Sequence, residues 1–127
     1  VLSGMTTMAQ LEENLATASS AHPDSLNPGD RELVERLASE LRSQIKIPCT
    51  DCRYCMPCPF GIDIPGNFSR YNELFMFAEN PAVRSHYKWI PEAARAAFCK
   101  DCGVCAPKCP QQIAIPDRLK EVAASFG

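Results

Sequence analysis

The sequence predicts an all-α fold on three observations. Apolar residues recur every three or four positions along most of the chain, helix-start signals precede those stretches, and no period-two alternation runs long enough to argue a sheet. The predicted helices are gathered by two short cysteine runs, "CTDCRYCMPCPFGIDIP" from Cys49 and "CKDCGVCAPKCPQQIAIP" from Cys99, which together contain all eight cysteines.

Taken in order, Met8, Leu11, Leu15 and Ala18 share one helical face, and Thr7 with Gln10 three residues on reads as a capping box, predicting a helix over about Met8 to Ser20. "HPDSLNPGD" is a loop by its Pro, Asn and Gly content. Asn27 as N-cap and Pro28 at the first helical position start a second helix, with Leu33, Leu37, Leu41 and Ile45 on one face, ending before Pro48. Asp63 and Pro65 open a third, whose apolar face is Phe68, Tyr71, Leu74, Phe75 and Ala78 and which Asn80-Pro81 ends. A short helix is expected from Pro81, another from Pro91 through "EAARAAF" into Cys99, and a last one from Asp117 to Ser125 with Leu119, Val122 and Ala123 on one side. The two cysteine runs share C-x-D-C-x-x-C, then C-P, then I-x-I-P, with a helix after each, so a duplicated unit with a pseudo-symmetric pair of metal centres is expected.

Composition excludes several classes. The 127 residues carry a formal charge of -2 with acids and bases interleaved, so no Lys/Arg stripe marks a nucleic-acid surface. No apolar run approaches the ~18 residues of a membrane span, and the N-terminal residues lack the basic-then-apolar order of a signal peptide, so a cytoplasmic chain is expected. Disulfides are disfavoured, because pairing inside a C-x-x-C-x-x-C run closes only tiny loops and removes little entropy from the unfolded chain.

The spacing of the thiols points to iron–sulfur chemistry. A structural zinc site, the alternative, takes two C-x-x-C pairs, whereas each run here is a triplet plus one. Cys99, Cys102, Cys105, Cys109 and Pro110 match C-x2-C-x2-C-x3-C-P, in which the fourth cysteine serves the other cluster of a two-cluster protein. The first run is one residue shorter between Cys55 and Cys58. The preferred assignment crosses over: Cys49, Cys52, Cys55 and Cys109 on one 4Fe-4S cluster, and Cys99, Cys102, Cys105 and Cys58 on the other. The alternative keeps each run to its own centre. Lys100, Lys108, Arg53 and Arg95 lie near enough in sequence to offset cluster charge, or are simply solvated. Gly103 is expected to give its loop a close approach to the metal, a need that Arg53 at the matching position argues is not shared. His22 and His86 read as solvated or helix-end residues, and Trp89, Tyr54, Tyr71, Phe75 and Phe77 as core. No Ser-His-Asp set or phosphate-cradling Gly-rich loop is present, so no catalytic residue is assigned.

Two resemblances extend this reading. "SGMTTMAQLEENLATAS" resembles the last barrel strand, loop and helix of the aldo-keto reductases, and "IPCTDCRYCMPCPFGIDIPGNFSRYN" with "CPQQIAIPDRLKEV" resembles the C-terminal iron–sulfur region of a branch of that family. The cysteine region is also similar to the α-helical ferredoxins. The resemblance implies an α-helical ferredoxin-like bundle around two 4Fe-4S clusters over residues 48–127, preceded over residues 1–47 by the remnant of a barrel's last strand, loop and helices. It implies an NAD(P)-dependent parent oxidoreductase, with Ser3, Gly4, Gln10, Glu13 and Asn14 as remaining nucleotide contacts. Thr6 stands where the family often has the Arg that pairs with the 2′-phosphate of NADP. The implied partners are the parent barrel and an electron donor or acceptor. The implied role is electron transfer, with a metal-stapled cap or docking domain, holding iron–sulfur or zinc, as the alternative. Zinc is also expected as a substitute in a heterologously expressed fragment.

Overall fold

The computed structural model describes residues 4–77 and 81–127, and among these it contains helices and turns but no strand. The chain divides into two compact units, Val1–Ala38 and Ser39–Gly127. The barrel-strand remnant expected around Val1 to Ser3 lies outside the described residues.

In the first unit, α1 spans Met8–Ser20 behind the expected capping box: Gln10 N–H donates to Thr7 Oγ1 at 3.3 Å, and Gln10 Oε1 accepts from Thr7 N–H at 3.2 Å. α2 spans Pro28–Gln44, beginning in the first unit and continuing past Ala38 into the second, with Asn27 Oδ1 accepting from Asp30 N–H at 2.9 Å as N-cap. Neither helix buries a residue. Their apolar stripes are present at the expected spacing but exposed, Leu15 at 57% and Leu41 at 53%.

The second unit holds the core. α3 (Ile64–Met76), α4 (Ala82–Tyr87) and α5 (Ile115–Phe126) pack together, with α3 against both of the others. Ile47, Ile62, Ile64, Phe68, Ile115, Leu119 and Val122 are almost wholly buried, each stabilising the fold by about 1.5–3 kcal/mol. Tyr87 stacks on Phe126 with ring centroids 3.8 Å apart, and Arg84 Nη1 donates to Ser125 O at 2.9 Å, tying α4 to α5. The I-x-I-P segments explain why both cysteine runs end at this core. Ile62, Ile64, Ile113 and Ile115 are all buried, and the following Pro65 and Pro116 sit in the first turns of α3 and α5, where a missing N–H costs nothing.

Three expectations need correction. The stretch after Pro91 is not one α-helix but two 3₁₀ turns, Glu92–Ala94 and Ala96–Phe98, broken at Arg95, which is extended (ψ 157°). The extension lets Arg95 donate from Nε to Ile90 O at 3.0 Å and from Nη2 to Lys88 O at 3.1 Å. α3 ends at Met76, with Phe77 as C-cap, and the Ala78 and Asn80 of its expected end lie outside the described residues. Of the aromatic residues assigned to the core only Tyr71 is buried. Trp89 is 71% exposed and Tyr54 67%, while Phe75 and Phe77 also face solvent. Trp89 lies against His86, centroids 4.4 Å apart, and that pair replaces burial as its packing.

Candidate metal centre

The two cysteine runs follow the same backbone path. Positive φ falls on the second and fourth residues after each leading cysteine, Asp51 (51°) and Arg53 (62°) in the first run, Asp101 (53°) and Gly103 (73°) in the second. It falls again three residues past the C-P cysteine, at Gly61 (77°) and Gln112 (54°). Backbone bonds repeat likewise: Met56 N–H to Arg53 O (2.9 Å) matches Ala106 N–H to Gly103 O (3.1 Å), and Gly61 N–H to Cys58 O matches Gln112 N–H to Cys109 O, both 3.0 Å. The backbone conformation at this position is therefore shared by both runs, although only the second has glycine there. Arg53 takes the same left-handed conformation as Gly103, at a cost of about 1–2 kcal/mol. Asp tolerates that region better, which accounts for the shared C-x-D-C. Residues alternating between the two hands turn successive N–H groups inward, a concavity suited to anionic centres such as iron–sulfur sites. The runs differ where their lengths differ. Met56-Pro57 is a cis peptide, and the longer second run has a 3₁₀ turn, Ala106–Lys108, there.

All eight cysteines are free thiols. Cys52 and Cys102 are exposed and the other six half-buried, packed against the hydrophobic core. One pocket is lined by Cys49, Cys52 and Cys55 of the first run together with Cys109 of the second, over an apolar floor of Ile64, Pro65, Phe68, Ile113 and Ile115. Cys49, Cys55 and Cys105 all have pKa values raised above 9.0, first by burial and then by neighbouring negative groups, the Asp51 carboxylate ahead of the thiols at Cys49 and thiols alone at Cys55 and Cys105. Those neighbours cross between runs: Cys109 acts on Cys49, Cys105 on Cys55, and Cys58 on Cys105. At Cys49 an Asp51 N–H bond to the sulfur opposes the rise, and at the matching position of the second run Asp101 N–H donates to Cys99 Sγ at 3.5 Å. Among the described residues no three Cys, His, Asp or Glu side chains stand close enough to hold a single metal ion.

The charged residues near the runs divide in role. Arg53 lines the cysteine pocket and reaches Asp51 at 3.4 Å and Asp63 at 4.0 Å. Arg95 is held by backbone carbonyls, with its guanidinium 5.8 Å from the Tyr87 ring centroid. Lys100 and Lys108 are exposed. Lys120 on α5, absent from the sequence reading, bonds Asp101 at 2.8 Å and Asp117 at 3.1 Å, anchoring the second run's loop to the helix that follows it.

Two asparagines were also missed. Asn67 is fully buried and uses its entire hydrogen-bonding capacity, donating to Asp63 O (2.7 Å) and Ala94 O (2.9 Å) and accepting from Ala96 N–H (2.8 Å) and Tyr87 O–H (3.0 Å). Asn72 accepts from Lys46 N–H (3.0 Å) and Ile47 N–H (2.9 Å) and donates to Ile47 O (2.8 Å). The available signal was a polar residue recurring beside Phe68 and Tyr71, on a helix otherwise read by its apolar face.

The nucleotide-contact candidates lie far from this chemistry in sequence, in the first unit. Gly4 and Glu13 are exposed, and Asn14 lies within α1. Gln10 directs its Oε1 to Thr6 N–H at 2.9 Å and to Thr7 N–H, while Ser3 lies outside the described residues.

The donors present suit a thiolate-held centre: soft sulfur ligands, an apolar floor that limits water, and N–H groups directed at sulfur. The family model for a 4Fe-4S dicluster domain matches residues 48–115, a little over half of the chain. No curated protein and no solved structure matches. With all eight cysteines inside the matched span, the chain belongs to the 4Fe-4S dicluster domain family.

Proposed function

We propose that this chain is a two-cluster electron-transfer module, with Cys49, Cys52, Cys55 and Cys109 holding one 4Fe-4S cluster and Cys99, Cys102, Cys105 and Cys58 the other. The observation that carries it is the pocket in which three thiols of one run meet the C-P cysteine of the other. When bound, such clusters accept and release single electrons at potentials set by charge, hydrogen bonds to sulfur and exposure. The chain supplies those controls through the Asp51 and Asp101 amides, Arg53 beside the first site, and the apolar floor. The exposed Cys52 and Cys102 give each site an edge that a redox partner can approach.

In this reading residues 48–127 form the electron-transfer domain, and residues 1–47 are the end of an aldo-keto-reductase-like barrel whose parent protein binds NAD(P). The resemblance of "SGMTTMAQLEENLATAS" supports that assignment, and the exposed Leu33, Leu37 and Leu41 are the surface such a barrel would cover. Ser3, Gly4, Gln10, Glu13 and Asn14 would then be nucleotide contacts of the complete barrel. No described helix is long and apolar enough to cross a membrane.

Anaerobic reconstitution with iron and sulfide, metal analysis and a redox titration followed by absorbance test the proposal. About eight irons per chain and reversible bleaching are expected, and a chain that takes up no iron, or whose clusters cannot be reduced, defeats it. A second reading, a structural staple holding iron–sulfur or zinc, is favoured by the packing of six cysteines against the core. Cys109→Ser separates the two. A retained fold with impaired electron uptake supports transfer, whereas unfolding without a separable redox defect supports the staple.

A further inference from the structure

We propose that α3 is a common alignment bar for the two metal centres, with Asn72 positioning the first cysteine run and Asn67 the second; this rests on the two-cluster reading above. Each asparagine holds the peptide that in turn holds a leading cysteine. Asn72 takes both backbone groups of Ile47, and Ile47 O also accepts the Cys49 N–H at 2.8 Å. Asn67 takes the N–H of Ala96, and Ala96 O accepts the Cys99 N–H at 3.0 Å. Cys49 and Cys99 are the matching first thiols of the duplicated unit, so each cluster's first ligand is one residue removed from a side chain of the same helix.

The helix geometry fits that role. Five residues apart, the two side chains leave α3 about 140° from one another, so a single rigid element reaches two segments on different sides. Both clamps are amides for a chemical reason: each must accept from an N–H and donate to a C=O at once, which an ionised Asp or a Leu cannot do. Ile47 is 0% exposed and Ala96 3%, so water does not readily take over either task. α3 itself is stiffened at its start by Asp63, and Asn67 reaches back to Asp63 O, joining the clamp of the second run to the end of the first.

The test uses the whole chain, reconstituted anaerobically. Cys52→Ser and Cys102→Ser serve as standards that assign the paramagnetic signal of each reduced cluster. Asn72→Ala, which removes three hydrogen bonds, is expected to alter the signal assigned through Cys52 and to speed the loss of that cluster's iron to a chelator about tenfold or more, leaving the other signal unchanged. Asn67→Ala, which removes the acceptor for Ala96 N–H together with both donors, is expected to do the reverse. If Asn67→Ala does not fold, Asn72→Ala alone decides. Equal changes in both signals, or no change in either, with helix content retained by circular dichroism, overturn the proposal alone. A wild-type chain that takes up no iron overturns the two-cluster reading and this proposal with it.

Discussion

Asn67→Leu keeps most of the volume of a side chain that is 0% exposed and removes all four of its hydrogen bonds. The magnitude follows from which groups lose their only good partner. Asp63 O still accepts from Asn67 N–H, and Ala94 O from Asp63 N–H, both at 3.0 Å. Ala96 N–H keeps only a 3.3 Å contact to the Tyr87 hydroxyl, and that hydroxyl loses its acceptor. Two buried groups left short, at about 1–3 kcal/mol each, give an expected destabilisation of ~2–6 kcal/mol. Tyr87→Phe removes donor and hydroxyl together while Asn67 Oδ1 keeps Ala96 N–H, so it should cost only about 1 kcal/mol. Denaturant unfolding of the reconstituted protein, followed by circular dichroism and cluster absorbance together, measures both, since a bound cofactor can separate the two transitions. If Asn67→Leu costs no more than Tyr87→Phe, the buried amide is not the hub described, and the accounting of its partners is refuted.

Three further outcomes are expected. Burial raises the Tyr87 pKa above 10.0, so its stabilisation is complete below pH 10 and is lost as pH rises through the higher folded-state value; Tyr87→Phe should therefore flatten the alkaline limb of a stability-versus-pH profile. Gly103→Ala should destabilise by about 1–2 kcal/mol, since φ is 73° and an added Cβ meets nothing within 4 Å, so the backbone conformation is the whole cost. Thermal melts should show that loss, whereas Arg53→Gly should change stability by less than ~1 kcal/mol, relief of strain being offset by unfolded-chain entropy and a weak exposed ion pair. Gly66→Ala should be near neutral in the native sequence, because its Cβ would displace the Asp63 carboxylate that caps α3, but should stabilise by about 0.5–1 kcal/mol in an Asp63→Ala background, where only the gain in helix propensity remains; urea unfolding of the four variants reads the sign change.

What the sequence disclosed and what it hid divide along a physical line. α1 is bounded by Thr7 and Gln10, and α3 opens at Asp63 and Pro65, because caps act within one turn and the residues that make them are adjacent in sequence. The duplicated cysteine unit was legible for the same reason, its offsets being local. The stretch from Pro91 to Phe98 was not, although its alanines favour an α-helix, because Asn67 on α3 claims the Ala96 N–H and Arg95 turns back to Ile90 and Lys88, contacts that local propensity cannot register. The conformation of Arg53 was not legible either: arginine does not advertise a left-handed backbone, and only the matched dihedral at Gly103 reveals that both loops adopt one. Trp89 was assigned inside by size and lies outside beside His86, since the core had been filled by the isoleucines of the two I-x-I-P segments, Phe68 and the Tyr87–Phe126 stack. Asn67 and Asn72 join the two halves of this argument. They sit on a helix recognised by its apolar period, yet the hydrogen bonds that bring each cysteine run to that helix come from its polar residues, and a polar residue inside an apolar stripe is therefore where a sequence of this kind is best searched for the support of a metal site.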